Sequence, residues 1–275
     1  MSSTALRCRV RHYGMHNVMS AKIIDMLPVK EFLRFHDALL ALPVKKSYTR
    51  KEIRSGQFRM FSTRGLDVYY APFHFLNKKA RVILVGLTPG WTQMERAFWA
   101  ARHGMAGGLS GAALFRHIEL IGSFSGPMRR NLVAMLEGIG LHEHLNICCC
   151  RSLFENRKPE HNLAHFTSLV SAPIFQKGGN YRGYGPRLLD VPELKEWVSK
   201  NLATEFAKLP KALIIPLGTV ANEVLQFLCT QSVERVERDR CLINFPHPSG
   251  ANGHRIPAFE RGCKSWRRQI RRWFR

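Results

Sequence analysis

Apolar positions recur at helical spacing through residues 28–43 (PVKEFLRFHDALLALP), with a proline at each end, and predict an amphipathic helix. Residues 80–85 (ARVILV) form a short apolar, β-branched run followed at once by Gly86 and Pro89, the pattern of a buried strand. Helices are predicted over 93–103 and over 127–140, the second opened by Pro127 and closed near Gly138 and Gly140. A short strand over 144–149 follows. A helix over 192–209, a strand over 211–217, a helix from Gly218 through Leu228 and a last strand over 241–245 (CLINF) complete the pattern. Strands that alternate with helices predict a mostly parallel sheet covered on both faces, a three-layer α/β/α sandwich. Ligands bind such sheets at the carboxyl ends of the strands, which here means the segments after positions 85, 149 and 245.

The chain has 275 residues, 45% of them hydrophobic. That suits one domain with an extension: a basic helical N-terminal part over 1–67 and a principal domain over 68–275 with a basic tail. The net charge of +22 and sequence pI near 10.3 point to a polyanionic partner, above all nucleic acid. Segment 45–64 carries Lys or Arg at 45, 46, 50, 51, 54, 59 and 64, and reads either as a solvated face or as an arm lying on phosphates. The tail CKSWRRQIRRWFR interleaves Trp266, Trp273 and Phe274 with arginines, which suits base stacking or an amphipathic helix packing its aromatics inward. The segment 171–190 (within it QKGGNYRGYGPR) reads as a lid or a DNA contact.

The seven cysteines are odd in number and irregular in spacing, which indicates neither a disulfide framework nor a zinc site and suits a reducing compartment. The first residues have no apolar signal core, and no run approaches the roughly 18 apolar residues of a membrane span, so a cytoplasmic protein without a membrane partner is expected.

Four segments carry candidate chemistry. Gly86-Leu87-Thr88-Pro89-Gly90 combines glycines that allow close backbone approach with a proline that fixes the turn. Phe124, between small residues in GSFSG, can present a flat ring to a flat ligand, or fill a core turn. Asn146 offers a donor and an acceptor together, suited to a pyrimidine edge, or caps a turn. In Pro246-His247-Pro248-Ser249-Gly250-Ala251-Asn252-Gly253-His254-Arg255, prolines hold a histidine while small residues permit approach to a phosphodiester.

In this order, over residues 68–260, the four resemble the uracil-DNA glycosylase superfamily. LNICCCR at 145–151 with NRKP at 156–159 is most similar to its bacterial and archaeal branch, and LIIPLGTVANEVL at 213–225 is similar to that family's strand, turn and helix. The resemblance implies a glycosylase fold and a reaction that flips a uracil or modified pyrimidine out of DNA and hydrolyses its N-glycosidic bond, in base-excision repair. It implies that Gly86, Leu87, Phe124 and Asn146 hold the base and that His247 stabilises charge on it. Pro248, Ser249, Gly250, Asn252, His254, Arg255, Arg151 and Arg157 then meet DNA, and the protein acts as a monomer.

Two departures qualify the resemblance. Thr88 and Leu87 stand where branches of the family carry a water-activating acid or amide, which leaves Thr88 or, farther on, Glu95 to place the water. Cys150 matches one ligand of the iron–sulfur cluster found in the similar branch, but no other cysteine falls at a ligand position, so no cofactor is expected and Cys148, Cys149 and Cys150 read as small strand residues. Two other functions stay open: excision of hypermodified phage bases as antiviral defence, and DNA binding by an inactive relative.

Overall fold

The computed structural model describes residues 27–126, 128–155, 158–231, 236–250 and 252–275. The helices are α1 (Leu27–Ala41), α2 (Arg50–Ile53), α3 (Trp91–Ala106), α4 (Gly111–Gly122), α5 (Met128–Gly138), α6 (Leu141–Leu145), α7 (Pro192–Trp197), α8 (Ala203–Ala207), α9 (Thr219–Thr230) and α10 (Arg255–Trp273). The strands are β1 (Arg59–Thr63), β2 (Leu66–Tyr69), β3 (Val82–Gly86), β4 (Ala164–Ser168), β5 (Ile174–Gln176), β6 (Gly179–Asn180) and β7 (Leu213–Pro216).

A parallel sheet in the order β4-β3-β7 forms the centre. The unbroken apolar run of β3 is explained by burial on both faces. Ile83 and Val85 pack with Ile214 against α7, α8 and α9 on one side. Val82 and Leu84 pack with Leu213 and Ile215 against α5, α6 and α10 on the other. This is the three-layer arrangement the alternation predicts.

The helix over 192–209 forms with Pro192 at its start and a π-helical stretch, Val198–Leu202, between α7 and α8. A second, antiparallel sheet in the order β1-β2-β5-β6 was not foreseen. It shares a core with α1, α3 and α4, in which Phe35, Phe58, Tyr70, Phe98 and Phe175 are buried. Position 67 lies inside β2, which pairs with β1 on one side and with β5 on the other.

Three local expectations are corrected. Residues 144–149 are no strand: Gly140 and Asn146, both left-handed, bracket the short helix α6, and the second parallel strand of the chain is β4. Of the three cysteines after it, only Cys150 is fully buried, and Cys148 is exposed. Residues 241–245 touch the sheet through one bridge, Cys241 to Ile214, after which Asn244 turns left-handed and ends the pairing.

The segments with two readings resolve differently. The tail is the end of α10, with Trp266 and Ile270 packed into the core and the arginines outward. In the basic segment, Arg50 and Arg54 both donate to Gly178 O, and Arg54 lies over the Phe175 ring. Segment 171–190 supplies β5 and β6, and Asn180 Oδ1 accepts the Trp91 amide at 3.0 Å, capping α3. Among the described residues no helix is long and apolar enough to cross a membrane.

Candidate functional site

Gly86 ends β3 opposite Ser168, the last residue of β4. The Phe124 ring fills the space a side chain at Gly86 would take: a Cβ there would stand 3.5 Å from Phe124 Cε1 and 3.4 Å from Ser168 Oγ. Phe124 has a φ of +48° and is held edge-on to Phe166 at 5.9 Å. Arg129 fixes its loop by donating to Ser123 O at 2.7 Å.

Pro89, Phe124 and Ser168 line one cleft of about 700 Å³, with Glu119, Ser123 and His165. The cleft runs along β4, the outer strand of its sheet. Because strand side chains alternate, Phe166 and Ser168 face the α5 side while His165 and Thr167 face the α7–α9 side. The cleft reaches both.

Three acids stand in its wall, Glu31 from α1, Glu119 and Glu205. Glu119, from α4, is 5% exposed, and Ser123 Oγ donates to its carboxylate. Burial raises its pKa to about 7, against the lowering effect of the Ser123 hydrogen bond and of nearby His165. Glu205, from α8, pairs with His165 Nε2 at 2.9 Å, and the other ring nitrogen of His165 is buried without a partner. His74, also in the wall, is held neutral by burial, its pKa lowered to about 3.

His247 packs against Gly218, just past the end of β7, the strand on the far side of β3 from β4. It does not line the cleft. Its loop is tied at several points. The Gly218 amide donates to Phe245 O at 2.9 Å, and the buried Asn222 side chain donates to Gly218 O and Phe245 O while accepting the Asn244 amide. Asn252 Nδ2 donates to His247 O at 3.1 Å, and Arg255 donates to Ser249 O at 2.8 Å. From α5, Asn131 donates to Pro248 O at 2.9 Å, so one helix anchors both the Phe124 loop and the His247 loop.

The Ser249 amide donates to His247 Nδ1 at 3.2 Å. In the neutral ring the proton is therefore assigned to Nε2, which becomes a donor. Burial lowers the pKa of His247 and favours that neutral form.

The other residues singled out in the sequence are dispersed. Thr88 spends its hydroxyl proton on Ala172 O at 2.6 Å, and Leu87 packs into the core on the α7–α9 side. Glu95 accepts the Tyr48 amide at 3.1 Å and stands outside the cleft wall. Asn146 is exposed at the end of α6, also outside that wall. Arg151, Gly250 and His254 are exposed on the surface, and Arg157 lies outside the described residues. Glu119, His165, Ser168 and Asn222 were missed; only the alternating pattern of AHFTS could have drawn attention to β4.

Among the described residues the cysteines do not gather as ligands of an iron–sulfur cluster, and Cys8 lies outside those residues. Cys150 is buried while Cys148 is exposed, Cys229 and Cys241 are joined by a hydrogen bond, and Cys263 donates to Gly138 O across α5 and α10.

No family model matches the chain. The Bacillus subtilis (strain 168) protein described as "Uncharacterized protein YoxB" is 33% identical over 251 residues, covering 90% of this chain and 94% of that relative. Among solved structures, the crystal structure of Pedobacter heparinus SMUG2 aligns with a TM-score of 0.45 at 12% identity, covering 86% of this chain and 97% of that one.

Proposed function

The chain belongs to the family of Bacillus subtilis YoxB, and we propose that it is a DNA glycosylase that flips a pyrimidine out of DNA and hydrolyses its N-glycosidic bond. One observation carries the reading. The Phe124 ring, 5% exposed, is fixed against a glycine at the carboxyl end of the central strand in the wall of a cleft large enough for a base, with a neutral histidine donor on a neighbouring loop. The order of GLTPG, GSFSG and PHPSG along the chain, similar to the uracil-DNA glycosylase superfamily, supports the same reading.

In this scheme exposed Lys and Arg residues, drawn from the chain's 42, bind phosphate and supply most of the affinity, with a steep salt dependence. The loop from His247 to Arg255, with its exposed Gly250, Gly253 and His254, enters a groove of the duplex. The target nucleotide leaves the stack and its base lies on Phe124. Ser168 Oγ, beside that ring, meets the base edge in the role that the resemblance assigns to Asn146. As the glycosidic bond breaks, His247 Nε2–H donates to the base oxygen on which negative charge accumulates.

The cleft, about 700 Å³, leaves room for a pyrimidine carrying a bulky substituent as well as for bare uracil. Such bases occur in phage DNA, and a glycosylase acting on them would serve defence. A second reading, DNA binding without turnover, draws on Thr88, whose hydroxyl holds Ala172 O and leaves the first loop without a base.

Abasic-site formation on labelled duplexes holding uracil, hypoxanthine, 5-hydroxymethyluracil or glucosylated hydroxymethylcytosine tests the proposal. Alkali-labile cleavage at one of these, lost in His247→Ala while DNA binding persists, is the expected result. Tight binding with no abasic site on any duplex would favour the inactive reading.

A further inference from the structure

We propose that Glu119 is the general base of this reaction, the group that takes a proton from the attacking water. The assignment rests on the glycosylase reading and supplies the residue that the Gly86–Gly90 loop lacks.

Five carboxylates or hydroxyls could serve, and the structure separates them. Glu31, from α1, also lines the cleft and has its proton affinity raised by burial, but it feels the charge of Arg34 on its own helix. Thr88 donates to a backbone oxygen, and Glu95 is bound to the Tyr48 amide outside the cleft. Glu205 is engaged by His165. Glu119 stands in the cleft wall five residues before Phe124, on the helix that leads directly into the Phe124 loop. Its carboxylate is held by Ser123 Oγ, a neutral donor that orients it without neutralising it. No lysine or arginine is among the groups that set its proton affinity: these are Ser123 at the C-terminal cap of its helix, His165 from β4 and Glu205 from α8. The same cleft is lined by Gln93 from α3, Glu31 from α1 and His74, and by the cations Lys200 and Lys208, which are not among the groups that shift Glu119. A carboxylate so desolvated binds a proton near neutrality, which is where a base is most effective.

Atoms and electrons balance in this step. The water oxygen forms a bond to C1′ of the sugar while the C1′–N bond breaks and its electron pair leaves with the base. Glu119 accepts the proton the water loses. That proton then passes to the departing base, giving free base, a sugar hydroxyl and an ionised Glu119 ready for the next turn.

The experiment is single-turnover abasic-site formation by the full chain and by Glu119→Gln, on whichever duplex the wild type cleaves. The amide keeps the shape and an acceptor for Ser123. The expected loss is 10²- to 10⁴-fold in rate, with DNA affinity within about twofold of wild type and the acidic limb of the pH–rate profile, centred on about pH 7, abolished. In Glu119→Ala, added formate should restore part of the rate, which a purely structural carboxylate would not allow. A control, Glu196→Gln, removes an exposed carboxylate paired with Lys200 and should leave the rate unchanged. A rate for Glu119→Gln within threefold of a cleaving wild type, or a pH profile that keeps its acidic limb, would overturn the assignment and leave the glycosylase standing. A wild type that makes no abasic site on any duplex would remove both.

Discussion

Gly86 and Phe124 share one space: a Cβ on the glycine would stand 3.5 Å from the phenylalanine ring. Alanine fits at that distance, but a branched side chain does not. Gly86→Val is therefore expected to push the ring out of the cleft, costing about 1–3 kcal/mol through overpacking and lowering abasic-site formation at least tenfold. Gly86→Ala should stay near wild type on both measures. Thermal unfolding and single-turnover kinetics of the pair check this, and equal rates for the two variants would mean that the base does not lie on Phe124.

A second close approach governs His247. Gly218 has a φ of +96°, and a Cβ there would come within 2.9 Å of His247 Cβ. Gly218→Ala adds backbone strain of about 1–3 kcal/mol and displaces the imidazole. The expected outcome is a fall in rate constant at saturating DNA, a smaller change in affinity, and a broadened or shifted His247 signal in the NMR spectrum. An unshifted His247 signal beside a normal rate would show that the loop absorbs the clash.

How these residues read in the sequence depends on what surrounds them. Strands β3 and β7 were legible because both their faces are buried, which writes them as continuous apolar runs. Strand β4 was not. It borders a cleft, so His165, Thr167 and Ser168 interrupt its apolar residues and hide it. The small and apolar run at 145–150 imitated a strand instead, because nothing local announces that Asn146 adopts φ +57° and closes a helix. The role of Asn222 was equally hidden, since it holds the Asn244 amide 22 residues away. Glu119 looks like any helix carboxylate until the fold buries it within the influence of His165 on β4 and Glu205 on α8.

Glu119 also ties stability to pH, and the sign follows from the direction of its shift. Its pKa rises from 4.5 in the unfolded chain to about 7 in the folded one. Folding therefore favours the protonated form. The associated stability is complete below about pH 4.5 and is lost as pH rises through 7. At 1.36 kcal/mol per unit, the loss by pH 8 amounts to about 3 kcal/mol. Glu119→Gln, which cannot ionise, is expected to melt several degrees above wild type at pH 8 and close to it at pH 5. Calorimetry at the two pH values reads this directly, and an equal difference at both would mean that Glu119 titrates at its ordinary value.

The outer face of α10 bears on where DNA lies. Lys264, Arg268 and Arg271 are exposed there, whereas Arg267 is bonded to Gly138 O and Arg272 to Asp239. With Trp266 and Ile270 holding the helix to the core, these three exposed cations form a rigid stripe. If phosphates bind it, Lys264→Ala, Arg268→Ala and Arg271→Ala together should release up to three phosphates. The slope of log affinity against log salt should then flatten by about 0.9 for each phosphate released. The three positions sit on the solvent face, so stability should hold within about 0.5 kcal/mol of wild type per substitution. The rate at saturating DNA should also be unchanged, because no residue of the cleft is altered. An unchanged salt slope would place the duplex on the His247 loop and other cations instead, and would leave the α10 stripe a solvated face.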